Sequence, residues 1–458
     1  MSLAGLFFPQ AKALGIDAEN GISPLLLDKI THIGVILPSF PQAAQATQKL
    51  LDLDLNTKRV ERATERIGLE CVEKRDADLA DYKALKLTTR EDGPADVIIP
   101  ECGAVMADGG RFQRSETNPD SQNHWFEYKA GICLTLEGEA SETDPLPNVP
   151  QFLLDEAYVK QLTIEVGQKS ADSAATVTSD RDPVPQVDLD SLQNLDGLER
   201  ALAEAIGKAS TEPVAESRNS ARDEPLSPKV ISREVVATQQ NCHALGLLLA
   251  AQAWALGLFK SSRKAFLGDG SSWIWGIWEK HFKPAEFVPI LDLIHAVTYV
   301  YAAATAAQTS KRGSEVYQCW IKWVWEGNVA QVIEELGERQ AELGLPAEGE
   351  SQTSPRSIVS QALGYLRNQQ SRMNYPEYRQ QGLPITSAHM ESTVKEINRR
   401  IKGSEKFWNA ENSEAILQLK ANTLCDSQPM VEFWKNRHET RTGFRNNVGK
   451  RRAHTLTS

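Results

Sequence analysis

The chain is most informative at first in what it lacks. Its six cysteines (Cys71, Cys102, Cys133, Cys242, Cys319 and Cys425) are scattered, and no two form a Cys-x-x-Cys pair. That spacing argues against a zinc ribbon and against a disulfide framework, and for reduced thiols in a cytosolic protein. No run of about 18 or more apolar residues occurs, so no membrane-spanning helix is expected; the longest apolar stretch, Ala244 to Phe259, is interrupted by Gln252. The start of the chain shows no basic segment leading into an apolar one with a small-residue cleavage site, so secretion is not expected. Positive charge is also short: 50 Lys and Arg stand against 61 Asp and Glu, a net of −11. Taken alone, that balance disfavours a nucleic-acid partner, because phosphate contacts need cations.

The distribution of charge changes this picture. An acidic, low-complexity stretch covers residues 138 to 228, whereas residues 392 to 458 hold 13 Lys and Arg against 7 Asp and Glu, a local net of +6. The acidic total therefore conceals a basic C-terminal part. At 458 residues, 41% of them apolar, the chain can bury a sizeable core and can hold several domains.

Residues 1–75 read as helical. A helix is expected over Pro38 to Leu53, then a break at Asp52 to Asn56, then a second helix from Thr57 to about Ile67 that exposes Lys58, Arg59, Arg62 and Arg66. This pattern suits a helix-turn-helix DNA-binding module, and a plain amphipathic hairpin suits it as well. Asp96 to Ala107 and Trp125 to Leu136 alternate or cluster as strands do. They open a first core part over 95–167. Residues 168–229 are rich in Ser, Ala, Asp, Glu and Pro and are expected to be a mostly disordered acidic insertion, with a short helix at Leu192 to Ile206. Strands at Ser232 to Thr238, Ser262 to Asp269 and Phe287 to Leu291 alternate with helices at Asn241 to Leu258 and Asp292 to Ala307, giving a second core part over 230–305. A helical insertion over 306–380 carries Trp320, Trp323 and Trp325, which are either packing residues or a stacking surface for an unpaired base. Pro384 to Trp408 opens a last long helix within a segment ending at 425, and a basic tail covers 426–458. Altogether the order of elements predicts a mixed α/β core with helices around the sheet, an all-α insertion and a helical N-terminal region.

Three carboxylates stand at the edges of these elements. Asp108 follows the first apolar strand and precedes Gly109; Asp269 ends the strand before Gly270; Glu391 lies in the first turns of the last helix. A short Asp beside glycine lets a phosphate approach closely, and a helical Glu reaches in from the side. Mg2+ prefers such hard oxygen ligands, and two ions about 4 Å apart clamp the oxygens of an in-line phosphoryl displacement. Glu391, Lys395, Asn398 and Lys402 share one helical stripe beside the apolar stripe Met390, Val394, Ile397 and Ile401. An exposed Glu391–Lys395 pair and ordinary Asp-Gly turns are the simpler accounts of the same residues.

The segments GDGSSWIW (268 to 275), ILDLIHA (290 to 296) and GLPITSAHMES (382 to 392), followed by NRRIKG (398 to 403) and FW (407 to 408), resemble the Kra-type insertion-sequence transposases of bacteria, relatives of the mutator-like DDE transposases. Upstream, ADGGR (107 to 111) and WFEYK (125 to 129) resemble that family's first core strands. The likeness spans roughly residues 20 to 165 and 230 to 425, and the block from 382 to 408 is its most specific part. The resemblance implies an RNase H-like core and an Asp108, Asp269, Glu391 triad binding two Mg2+ ions, with Mn2+ as a possible substitute. It matches Asp292 and His295 to an Asp-x-x-His signature near the active site, where His295 contacts the scissile phosphate or orients a ligand; a satisfied core histidine is the alternative. It further implies DNA as partner (transposon ends and target), contacts from Lys395, Arg399, Arg400 and Lys402, a homo-oligomer on DNA, no membrane, and a cytoplasmic, nucleoid-associated location. Another RNase H-like nuclease, or a transposase-derived DNA-binding protein without catalysis, remains open.

Overall fold

A computed structural model of the chain describes residues 16, 21–119, 122–173, 228–403 and 405–442. Among the described residues, four helices precede the sheet: α1 (Pro24–Ile36), α2 (Phe40–Leu51), α3 (Thr57–Ala84) and the short α4 (Leu87–Asp92). The first three begin where the sequence offers caps. Ser23, Ser39 and Asn56 accept hydrogen bonds from the amides of Leu26, Gln42 and Arg59, satisfying donors that a helix start leaves unpaired. Asp52, in the left-handed region at φ 54°, ends α2 and turns the chain into α3. The expected break at 52–56 is therefore present, but α3 runs well past Ile67, to Ala84.

There follow β1 (Cys102–Arg114), β2 (Trp125–Glu137), α5 (Gln151–Leu154), α6 (Glu156–Ser173), β3 (Lys229–Thr238), α7 (Cys242–Ala255), β4 (Arg263–Gly268), α8 (Ser272–Ile277), β5 (Val288–Leu291) and α9 (Leu293–Thr305). The insert is α10 (Ser310–Trp325), α11 (Val329–Leu343), α12 (Pro355–Gln369) and α13 (Tyr375–Gln380). The chain then returns through α14 (Ala388–Ile401), β6 (Phe407–Trp408), α15 (Ala410–Leu424) and α16 (Pro429–Thr442).

The result is a mixed α/β fold. One sheet runs β3-β2-β1-β4-β5, with β6 added to the far end of β1. The β1/β2 and β2/β3 pairs are antiparallel; β1/β4, β4/β5 and β1/β6 are parallel. Parallel neighbours need a crossover, and α8 with the π-helical turn Trp278–Phe282 supplies it between β4 and β5. Side chains alternate across the sheet. On β2, Cys133 points at the Leu249 carbonyl of α7, whereas Tyr128, of opposite parity, places its hydroxyl 3.0 Å from the Asn398 Oδ1 of α14. Helices thus cover both faces, and α14 crosses the face that carries Tyr128. None of the described helices is long and apolar enough to cross a membrane.

Several expectations need correction. Pro100 cannot donate to a ladder, so β1 begins only at Cys102 and leaves Ile98 93% exposed in the segment before it. The strand then continues through both glycines to Arg114. The last core helix stops at Ile401, and Phe407 and Trp408 pair with Gln113 and Arg114 as a strand. Residues 168–173 belong to α6, and Lys229 already belongs to β3; residues 174–227, with the helix expected at 192–206, lie outside the described residues. In the expected tail, 429–442 are helical and 443–458 lie outside the described residues. Trp320 and Trp325 are buried in the insert, their ring N–H groups bonded to Glu335 and to the Leu146 carbonyl, so they pack rather than offer a stacking surface. Trp323 is half-buried.

Among the contacts that join the N-terminal helices to the core, two are especially close. Arg400 of α14, only 2% exposed, donates to the Gly34 carbonyl at 2.9 Å and lies over the rings of Phe40 (4.3 Å) and Trp408 (5.1 Å). At Gly68, α3 crosses α15 so closely that a Cβ would stand 2.6 Å from the Ala415 carbonyl oxygen. Gly68→Ala gains about 1 kcal/mol of helix propensity but overpacks a backbone contact, at a cost of about 1–3 kcal/mol. A net loss of about 1 kcal/mol is expected, read as a lower midpoint in urea unfolding.

Candidate active site

The register of the parallel strands organises the site. β1 pairs with β4 as far as Met106 opposite Leu267, and β4 with β5 as far as Gly268 opposite Leu291. Continuing each register sets Asp108, Asp269 and Asp292 level with one another past the end of the parallel ladder. The Asp292 amide still donates to the Gly268 carbonyl at 2.9 Å, so the last of these steps is tightly held. Open α/β sheets present ligand sites at the carboxyl ends of their parallel strands. Asp108 lies within β1 rather than at its end, because the antiparallel pairing with β2 carries the strand onward.

Asp108 is half-buried at the sheet surface and densely surrounded. Burial pushes its carboxyl up to about 7; the negative charge of Asp269 adds to this, and that of Glu391 adds further. The Gly109 amide, 2.6 Å from Oδ1, and His295 act in the opposite direction. The fold therefore brings Asp108, Asp269, Glu391 and His295 within electrostatic reach of one another. As they stand, no three His, Cys, Asp or Glu side chains among the described residues form a group that could hold a metal ion.

Asp269 is held by its own turn and by the helical insert. Its Oδ1 accepts from the Ser271 amide at 2.7 Å. Its backbone carbonyl accepts from the Tyr365 hydroxyl at 2.7 Å, and that of Gly270 from Gln369 at 3.2 Å, both on α12. Gly270 sits at φ 109°, where a Cβ would also stand 2.7 Å from the Tyr365 ring, so only glycine fits. Tyr365 in turn stacks on Tyr299 of α9, with ring centroids 3.8 Å apart.

Asp292 plays a different part. It is fully buried and caps α9 by accepting from the Ile294 amide at 3.1 Å. Its other oxygen accepts from His295 Nδ1 at 2.8 Å and from the Ser387 hydroxyl at 2.6 Å. Burial opposes its charge, but the His295 bond and charge, with the Ser387 and Ile294 bonds, hold its carboxyl below the ordinary value. Ser387 immediately precedes α14, so this one carboxylate joins β5, His295 and the start of the helix that carries Glu391.

Glu391 occupies the first turn of α14, with Lys395 Nζ 4.0 Å from its carboxylate, the limit of an ion pair. Lys395 and Arg399 are exposed, Arg399 pairing with Glu396, and Lys402 is half-buried with its ammonium 5.8 Å from the Trp125 ring. Arg400 is a correction: buried among α1, α2 and β6, it offers no surface to DNA. On α3, Lys58, Arg59 and Arg62 are exposed, Lys58 bonding Glu61, and Arg66 is half-buried. The charges of Glu61 and Glu65 reach Arg400, so this part of α3 lies toward the end of α14 away from Glu391.

Sequence reasoning missed Ser387, Tyr365 and Gln369 as parts of the site. Ser387 stands inside the segment quoted above, but nothing local says that its partner is Asp292. Tyr365 and Gln369 carry no signal, since they are ordinary residues of an amphipathic helix. In comparisons with known proteins, no family model matches the chain and no curated protein matches it.

The raised carboxyl has a consequence for stability. With its folded-state value near 7 and an ordinary value of 3.8 when unfolded, Asp108 binds its proton more tightly in the folded protein. Its contribution is therefore present at low pH and is lost as pH rises from about 4 through about 7. Without added divalent cation, Asp108→Asn is expected to melt higher than the parent at pH 8, with the gap closing by about pH 4. An equal or lower melting temperature for the variant at pH 8 contradicts the buried-charge account.

Proposed function

We propose that this chain is a DDE transposase with an RNase H-like core, cutting and rejoining DNA at the carboxylates Asp108, Asp269 and Glu391. The observation that carries the reading is the level placement of Asp108 and Asp269 on adjacent parallel strands, where their charges and that of Glu391 push on one another. Buried like charges are costly unless a cation offsets them. The strand order, three antiparallel strands followed by two parallel ones, supports the RNase H-like core, and the segments around 268, 290 and 382 support the family.

The donor set suits Mg2+, since all three groups are hard oxygen ligands and Asp108 binds a proton too readily in the absence of a neighbouring cation. Two Mg2+ ions, with Mn2+ as a substitute, would supply activation of water and then of the freed 3′-hydroxyl, and would offset charge on the phosphate. The chain's own residues do the positioning. Tyr365 and Gln369 hold the loop of Asp269. Asp292 fixes the His295 ring through Nδ1, so that its orientation near Asp108 is set before DNA arrives. Ser387 bonds the same carboxylate and so sets where α14 begins and where Glu391 projects. Lys395, Arg399 and Lys402 supply cations along α14 for the DNA backbone, and the exposed cations of α3 serve recognition of transposon ends. Assembly as a homo-oligomer on paired ends and a nucleoid-associated location belong to the same reading.

Asp269→Asn is expected to abolish Mg2+-dependent strand cutting of end DNA while DNA binding stays within a few-fold of the parent. Retained cutting by this variant refutes the triad. Cutting by the parent without strand-transfer products points instead to another RNase H-like nuclease, and end binding without cutting to a DNA-binding derivative.

A further inference from the structure

Metal ligation accounts for Asp108 but not for the second glycine after it, nor for the tyrosine that faces that glycine. In the antiparallel pairing of β1 and β2, Asp108 stands opposite Ala130 and Gly110 opposite Tyr128. Side chains alternate across a sheet, so Asp108, Gly110 and Tyr128 share one face, the face that α14 crosses. Asp108 and Tyr128 are diagonal neighbours there, about 7–8 Å apart. A Cβ on Gly110 would overlap the Tyr128 ring, whereas one on Gly109 would meet the Tyr128 carbonyl at 3.5 Å, an ordinary contact. Packing therefore demands the second glycine and not the first. It makes room for a ring that leans over the strand of Asp108.

Tyr128 is fully buried, with the Phe112 ring 6.4 Å from its own, and its hydroxyl reaches α14. The oxygen lies 3.0 Å from Asn398 Oδ1 and 3.4 Å from the Val394 carbonyl; both are acceptors, so the hydroxyl donates. Burial, and after it the charge of Asp108, push that hydroxyl well above its ordinary range, so the donor keeps its proton. Val394 is three residues and Asn398 seven residues beyond Glu391 on the same helix, about one turn and two turns along. The ends of α14 are held at Ser387 and Arg400. Tyr128 acts between them, standing on the paired strand of one carboxylate and bonding the helix that carries another.

Resting on the proposed role of the three carboxylates, we infer that Tyr128 is a positioning residue: a strut, bonded to Asn398, that fixes the separation of Asp108 on β1 and Glu391 on α14 and so sets the divalent-cation site before DNA arrives. It acts on the cation only through the ligands, as the groups behind metal ligands do. Without the hydroxyl the ring still fills the space over Gly110, but α14 is free to turn and slide on it. Glu391 must then be brought back each time a cation binds, at a cost in affinity.

The test titrates the full chain with Mn2+ at pH 8, above the value of about 7 for Asp108, and follows the heat of binding. The parent is expected to bind and Asp269→Asn to lose binding. Tyr128→Phe should bind Mn2+ about tenfold more weakly than the parent. Asn398→Ala should match it, and the double variant should lose no more than either alone, because both changes break one bond. In strand cutting by Tyr128→Phe, the half-saturating Mg2+ concentration should rise about tenfold while the rate at saturating Mg2+ stays at the parent's. Parent-like Mn2+ affinity in Tyr128→Phe, with or without a lower melting temperature, overturns the strut and leaves the carboxylates in their role. Additive losses in the double variant overturn it as well. Failure of the parent to bind Mn2+, or binding that Asp269→Asn leaves intact, removes both the strut and the function it rests on.

Discussion

Repulsion among carboxylates held side by side is the constraint around which this structure is arranged. Asp108 and Asp269 stand level because the parallel register of β1 and β4 leaves them nowhere else to go. Glu391 is brought over the same strand ends by α14. Each added negative charge raises the cost of ionising Asp108. A site of this kind is destabilising on its own and must be supported from outside itself.

That support comes from elements far away in the chain. The Asp269 loop is clamped by Tyr365 and Gln369, on the last long helix of an insertion whose Tyr375 also bonds the Leu291 carbonyl of β5. The start of the Glu391 helix is tied through Ser387 to Asp292, a carboxylate whose lone pairs are already committed to His295 and to the α9 amide. The other end of that helix is pinned by Arg400, wedged between the Gly34 carbonyl and two aromatic rings. Asp292 and Asp108 are thus two carboxylates at the same level of one sheet with opposite tendencies. Donors surround Asp292 and hold it ionised, while burial and like charges surround Asp108 and favour its proton.

Much of the secondary structure was legible because it follows from local rules. Ser23, Ser39 and Asn56 mark helix starts, and β3, β4 and β5 lie where short apolar runs meet turn residues. The mixed α/β class follows from the order of those elements. The misjudged boundaries have tertiary causes. β1 extends past Gly109 and Gly110 because β2 pairs with it, and 407–408 become a strand because the β1 edge is open to them. Nor could the spacing of basic residues tell Arg400 from Arg399: one turns inward under α2 and the other outward, a difference decided by where α1 and α2 pack.

By itself the sequence determined which residues could do chemistry. It set the three carboxylates beside glycines and a helix start, the Asp292–His295 spacing that makes a bond within one helical turn, and the basic stripe along α14. Only the tertiary structure decided which of these meet, since the register of parallel strands, the crossing at Gly68 and the reach of α12 to the Asp269 loop join residues that no local pattern relates. Side-chain type is written residue by residue, whereas electrostatic coupling depends on distances that exist only once the sheet has closed and the helices have packed over its strand ends.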